Sequence, residues 1–139
     1  MREYNLFISH SWNYPDAYEG LDEMLKKAPY FYYNNYSVPM DKAITIYNKQ
    51  YYNVELKNKI RDKMKHCSAV LILAGVYASY SDSIQMEIEI AKELGKPIVA
   101  VEPWASDRTS IVVKQSATRI AKWNTSSIVG AIKEVCQYE

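Results

Sequence analysis

The chain has 139 residues, a length that favours one domain with a single core, here residues 1–139. Hydrophobic residues make up 48% and charged residues 24% of the chain, a balance typical of globular proteins and not of disordered ones. The net charge is +1 with acids and bases interspersed, so we expect neither nucleic acid nor a membrane as a partner.

Targeting and metal-binding patterns are missing from the sequence. The opening residues MREYNLFISHSW contain no long apolar run, which argues against a signal peptide. The longest apolar run, residues 69–78, is far shorter than the roughly 20 residues of a membrane helix. Cys67 and Cys136 lack metal-ligand spacing. We therefore expect a cytoplasmic protein with reduced, buried thiols and no metal site.

Strands and helices are predicted to alternate along the chain. The β-rich run YNLFIS, residues 4–9, predicts a first strand, and the spacing of apolar residues predicts a helix over 16–27. Tyr30 to Tyr33 predict a second strand, which runs into a turn-rich loop over 34–41. Further elements are a helix over 54–67, a continuous apolar strand over 68–75, a helix within 81–95 closed by Gly95, a strand over 97–104 and a final helix over 126–137.

This alternation predicts an α/β fold, with a parallel sheet of four to five strands and helices on both faces. Ligands of such sheets bind at the carboxyl ends of the strands, near the topological switch point. The candidate site is therefore built from the segments that follow the strands. They are residues 9–12, 34–41, 74–83 and 102–104.

One glutamate of the helix after residue 81 lies on its apolar face. An α-helix turns by about 100° per residue about its axis. With Ile84 set at zero, Glu89 and Glu93 fall on the solvent-facing side, whereas Glu87 falls near 300°, among apolar residues. A carboxylate there costs several kcal/mol unless it finds partners or water. We expect it in the first turn of the helix, where the macrodipole favours an anion. Glu87 is therefore either a residue of the functional site or a structural residue. In the second case it caps its own helix or pairs with a basic neighbour.

The motifs, in their order along the chain, resemble those of TIR domains. YNLFISHSW is similar to the first-strand motif F-I-S-Y/H-S, and the segment from Leu56 to Val101 is similar to the middle of these domains, including W-x-x-x-E-I/L-x-x-A and G-K-P-I-I-x-V. The later P-W segment and W-N-T-x-S-I-V-x-A-I most resemble the TIR-like proteins of bacterial Thoeris anti-phage defence. The resemblance covers nearly the whole chain.

The resemblance implies a flavodoxin-like fold and cleavage of the nicotinamide glycosidic bond of NAD+, which is a substrate and not a cofactor. It implies an ADP-ribose-derived, often cyclic, messenger that activates a separate effector protein, and self-assembly through TIR contacts. The family's catalytic glutamate corresponds to Glu87, since Glu87 and Ile88 are followed by Ala91. The motif's tryptophan is replaced by Ser83.

The chemistry suits a lone carboxylate. Loss of a cationic nicotinamide leaving group develops oxocarbenium character on the ribose, which a carboxylate stabilises while it holds the ribose hydroxyls. By analogy with TIR enzymes, further candidate substrate-binding residues lie in the loops at the strand ends. They are Ser9, His10, Ser11, Trp12, Asp41, Ser83 and Trp104.

Several of these positions have a plain structural alternative. Trp12 and Trp104 either stack on a ring of the substrate or belong to the core, and Asp41 either binds ribose or caps a helix. Tyr33 and Tyr36 either serve assembly or substrate contacts, or simply pack the second strand. We expect Phe7 to be a core residue of the first strand, unless it lies at the floor of the site.

The rival function is a non-catalytic TIR-type interaction module, which has no need of a carboxylate on an apolar stripe. A phosphorylated receiver domain is disfavoured, because the first strand ends in SHS and the third in AG, with no acidic residues. A flavin carrier is disfavoured because no hydroxyl-rich phosphate loop follows the first strand at the spacing that flavin binding needs.

Overall fold

The computed structural model describes residues 3–9, 15–36, 49–73, 81–102 and 116–136. Within them, five strands and four helices follow one another along the chain. They are β1 (Glu3–Ile8), α1 (Pro15–Lys26), β2 (Tyr32–Asn35), α2 (Lys49–Met64), β3 (Ala69–Leu73), α3 (Ser81–Glu93), β4 (Ile98–Val101), β5 (Arg119–Ala121) and α4 (Thr125–Cys136).

The strands form one parallel sheet in the order β2-β1-β3-β4-β5. In its register Ile8 lies opposite Leu71, and Leu71 lies opposite Val99. This strand order is that of doubly wound, flavodoxin-like sheets, and it confirms the predicted fold class. Because the chain leaves β1 first for β2 on one side and later for β3 on the other, the switch point lies between β1 and β3.

Among the described elements, two helices cover each face of the sheet. Leu6 and Ile8 of β1 pack in a cluster with α1 and α4, whereas Phe7 packs in a cluster with α2 and α3. Successive strand residues point to opposite faces, so the unbroken apolar runs of the strands supply both cores. Phe7 is 1% exposed, which confirms it as a core residue.

Two strands differ from the sequence-based prediction. β2 begins at Tyr32 and not at Tyr30, because Tyr30 has a positive φ of 57° and lies outside the extended region. Phe31 is buried before the strand begins and stacks on Tyr4, with ring centroids 5.3 Å apart. β5 falls between the predicted strand over 97–104 and the predicted final helix, where no element was assigned, and its three residues are too few to show an alternating pattern.

The end of α3 confirms the predicted glycine cap. Gly95 has a φ of 68°, and its N–H donates to the carbonyl of Lys92 over 3.1 Å. The N–H of Lys96 reaches back to Ala91 over 2.8 Å, and the two bonds together make a Schellman motif. The helix is thus stopped just before Pro97, and the chain turns directly into β4.

Asp22 of α1 joins that helix to the edge strand β2. Its carboxylate lies 2.9 Å from the Lys26 ammonium and accepts hydrogen bonds from the Tyr33 hydroxyl and the Asn35 amide. Partial burial raises the pKa of Asp22, but these donors outweigh burial and hold the pKa below its usual range. The carboxylate therefore contributes stability in its charged form.

We expect this contribution to disappear in acid. The folded-state pKa lies below the unfolded value of about 3.9, so the stabilisation is complete above that value and is lost as the pH falls through the folded pKa. Asp22→Asn should therefore destabilise the protein at pH 7 and do so much less at pH 3, as measured by urea unfolding. Exposed Asp62 supplies the control, and Asp62→Asn should change stability little at either pH. An Asp22→Asn effect that is equal at both pH values would contradict this assignment.

Candidate active site

A buried pair of polar side chains lies at the carboxyl end of β1. The Ser9 hydroxyl donates a hydrogen bond of 2.8 Å to Oε1 of Glu87. Ser9 is 0% exposed and Glu87 is 2% exposed, and they are the two buried polar residues within the described ranges. A buried carboxylate needs such donors, because leaving it without them costs several kcal/mol.

The backbone of β1 places Ser9 in this pair. Phe7 packs against α2 and α3, and two residues later Ser9 lies on the same face of the sheet. The Ser9 N–H donates to the carbonyl of Leu71 over 3.0 Å, which continues the parallel ladder with β3 beyond Ile8. The serine is therefore held by the two central strands of the sheet.

The helical period of α3 places Glu87. Glu87, Ile88 and Ala91 are buried, whereas Glu89 and Glu93 are exposed. This is the pattern that the helical period predicts. Glu93 pairs with Arg61 of α2 over 2.8 Å, and this guanidinium holds the pKa of Glu93 below its usual range. Of these three glutamates, only Glu87 faces the sheet.

One expectation about Glu87 was wrong. α3 begins at Ser81, so Glu87 is its seventh residue and lies in the second turn, not the first. The macrodipole acts on charges within the first turn, so it is not what stabilises this carboxylate. The structure shows a side-chain donor from β1 in its place, namely Ser9.

The pair lies where ligands of doubly wound sheets bind. Ser9 directly follows β1, and α3 is the helix that follows β3. The switch point falls between these two strands, and the carboxyl ends of the strands on either side of it form a crevice in this fold class. The predicted position of the site is thus consistent with the observed topology.

Glu102 brings a second carboxylate to the same edge of the sheet. It follows β4, is half-buried, and its N–H donates to the carbonyl of Ala121 over 2.8 Å. Ala100 packs against α2 and α3, so the alternation of β4 places Glu102 on the face that carries Ser9 and Glu87. The segment 102–104 was predicted to line the site, but Glu102 was not singled out. The alternation of the strand was the signal that would have identified it.

The remaining predicted site residues have different outcomes. His10, Ser11, Trp12, Asp41 and Trp104 lie outside the described residues, so their substrate contacts stay predictions. Ser83 lies in the first turn of α3. Its contact with substrate, like that of Ser9, also stays a prediction.

Tyr33 and Tyr36, which the sequence offered for assembly, substrate contacts or packing, pack within the fold. Tyr33 lies partly buried with its ring 5.8 Å from that of Phe31, and its hydroxyl bonds Asp22. Tyr36 packs against the cluster of α2 and α3, with its ring 6.2 Å from that of His66. These contacts are those of the packing alternative.

Other reactive groups of the described residues do not compete with Glu87. Burial raises the pKa of the Cys67 thiol to about 12, so it is no nucleophile near neutral pH. Cys67 and Cys136 are both buried, as predicted, and they form no disulfide with each other. Within the described ranges, no three His, Cys, Asp or Glu side chains are grouped to hold a metal ion. None of the helices described is long and apolar enough to cross a membrane.

A parallel sheet in the order β2-β1-β3-β4-β5, covered on both faces and with a buried carboxylate at its switch point, defines a flavodoxin-like α/β domain with a candidate site. Residues 7–108 match the family model described as Thoeris protein ThsB, TIR-like domain. The match covers more than half of the chain, from β1 to beyond β4. The chain therefore belongs to the TIR-like domain family of Thoeris protein ThsB.

Solved structures share the fold at low sequence identity. A 2-deoxyribosyltransferase from Bacillus psychrosaccharolyticus is 12% identical, with a TM-score of 0.55, over 97% of this chain and 92% of that one. A 3-dehydroquinate dehydratase-like protein from Bifidobacterium longum is 13% identical, with a TM-score of 0.48, over 99% and 97%. At such identity the first similarity supports the fold alone, and the second carries no argument. Among curated proteins, no significant match is found.

Proposed function

We propose that this domain is an enzyme that cleaves NAD+ at the nicotinamide glycosidic bond, with Glu87 as its catalytic residue. The observation that carries the proposal is the burial of the Glu87 carboxylate, 2% exposed, on the apolar face of α3 at the switch point of the sheet. Membership of the ThsB TIR-like family supports the defence context.

The burial argues for catalysis because a buried carboxylate is a poor way to gain stability. Replacing buried ionic groups with apolar residues of similar volume is often neutral or stabilising. A module that only recruits partners through its surface has no use for such a group, whereas a site that stabilises positive charge does. Charge stabilisation in a water-poor environment is also much stronger than in bulk water.

In the proposed reaction the bond between ribose C1′ and the pyridinium nitrogen breaks, and its electron pair goes to the nitrogen. Nicotinamide leaves as a neutral molecule, so no proton has to be donated to it. The Glu87 carboxylate holds the ribose hydroxyls and stabilises the oxocarbenium-like transition state. Water then captures C1′ and releases a proton, or a nucleophile of the same ADP-ribose closes a ring.

The cyclic outcome is the one that fits a defence signal. A cyclised ADP-ribose derivative would diffuse to a separate effector protein in the cytoplasm, and self-assembly of the domain would bring sites together. Because Glu87 is 2% exposed, a substrate meets its carboxylate only after the site opens, which fits an enzyme that waits for a trigger.

The test is incubation of the purified protein with NAD+, alone and with phage-infected lysate, followed by mass spectrometry of the nucleotides. Nicotinamide with an ADP-ribose-derived product supports the proposal, and the mass of the product separates hydrolysis from cyclisation. If neither condition yields nicotinamide above a protein-free control, the interaction-module alternative replaces the enzyme.

A further inference from the structure

We propose that Ser9 is a positioning residue, which holds the Glu87 carboxylate in its productive orientation and does not itself bind substrate. This inference rests on the proposed function, and it assigns Ser9 a different role from the substrate contact expected from the sequence. It is carried by the hydrogen bond of 2.8 Å from the Ser9 hydroxyl to Oε1 of Glu87.

Ser9 is better suited to positioning the Glu87 carboxylate than to binding substrate. The residue is 0% exposed, and its single hydroxyl proton is given to Glu87. Its N–H is bonded to Leu71 of β3, so its backbone is held between the central strands of the sheet. A side chain with one torsion on such a rigid support places its oxygen accurately.

Glu87 is the side chain that needs this support. A glutamate has three side-chain torsions, and its carboxylate must meet the ribose within a fraction of an ångström to act in the transition state. The helix alone fixes only the direction in which the side chain leaves α3. The hydroxyl of Ser9 adds a fixed point at Oε1, on an element that is distant in sequence.

The test compares Ser9→Ala with Ser9→Thr in the NAD+ assay. Ser9→Ala should lower kcat by about 10- to 100-fold while KM changes less than about twofold, because orientation of the carboxylate counts in the transition state and not in ground-state binding. Ser9→Thr keeps the hydroxyl and should recover most of kcat. Ser9→Cys keeps the size with a weaker donor and should behave as Ser9→Ala.

A control variant, thermal melting and a double variant separate positioning from a general loss of structure. Ser68→Ala, at the opposite edge of the sheet just before β3, should leave kcat unchanged. Thermal melting shows which variants are folded at the assay temperature, and Ser9→Cys serves if Ser9→Ala is not. In the Glu87→Gln background, Ser9→Ala should lower the residual rate no further, because the two residues act as one unit.

The outcomes distinguish the two proposals. If the wild type is active and the folded Ser9→Ala variant has the same kcat, the positioning role is overturned and the proposed function stands. A rise in KM with kcat unchanged would return Ser9 to substrate binding and overturn the inference as well. A wild type that releases no nicotinamide under either condition would overturn the proposed function, and the positioning role with it.

Discussion

Glu87→Gln is expected to lower the rate of nicotinamide release by at least about 100-fold, the usual effect of removing a group that stabilises transition-state charge. Glutamine has nearly the shape of glutamate but lacks its negative charge. It therefore keeps the shape and one acceptor oxygen of the side chain, but it removes the negative charge that stabilises the oxocarbenium-like ribose. The loss should appear in kcat, measured by nicotinamide release under whichever condition activates the wild type.

The same variant should melt at the wild-type temperature or above it. The glutamine carbonyl accepts the Ser9 hydrogen bond in place of Oε1, and the cost of burying an ionised group disappears. Loss of activity without loss of stability is the behaviour of residues retained for function. Differential scanning fluorimetry of both proteins provides the measurement.

Glu89 offers a matched control on the same helix. It lies two residues further along α3 with its side chain exposed, so Glu89→Gln removes the same charge from the same element without touching the site. Its kcat should equal that of the wild type. Equal activity of Glu87→Gln and the wild type would refute the catalytic role of Glu87.

Phe7→Ala is expected to lower the free energy of unfolding by about 3–5 kcal/mol. Phe7 lies in β1 and is 1% exposed, and it packs in the cluster formed with α2 and α3. Removing the ring leaves a cavity that close-packed neighbours fill only in part. For a domain of this size, such a loss consumes a large share of the whole stability.

Urea unfolding of the wild type, Phe7→Ala and Phe7→Leu measures this effect. Phe7→Leu should lose less, because it keeps most of the buried apolar volume. Tyr32→Ala is the control, since Tyr32 is 49% exposed on the edge strand β2 and should cost about 1 kcal/mol or less. A Phe7→Ala loss no larger than that of Tyr32→Ala would contradict the placement of Phe7 in the core.

Most of the architecture was predictable because its signals are local. The apolar run of β3 and the helical spacing of α3 each follow from the backbone period of one element. The alternation of elements then leads to a parallel sheet with helices on both faces. β5 was not predicted because a strand of three residues is shorter than the pattern that would reveal it.

Boundaries were less predictable than the elements themselves. Tyrosine is common in strands, yet Tyr30 has a φ of 57° and therefore lies outside β2. The next residue, Phe31, is buried and stacks on Tyr4. Glu87 was assigned to the first turn of its helix, but α3 begins earlier, at Ser81. Around Tyr30, local propensity gives way to a contact with a distant part of the chain, the stacking of Phe31 on Tyr4.

The sequence by itself determined that Glu87 is buried, because the period of a helix decides which of its residues face the sheet. It could not determine which side chain meets that carboxylate. Ser9 and Glu87 are 78 residues apart, and they meet only because β3 pairs directly with β1 and brings α3 over the end of that strand. Strand order and register depend on the packing of the whole sheet, so the tertiary structure decided that a serine hydroxyl holds the buried glutamate.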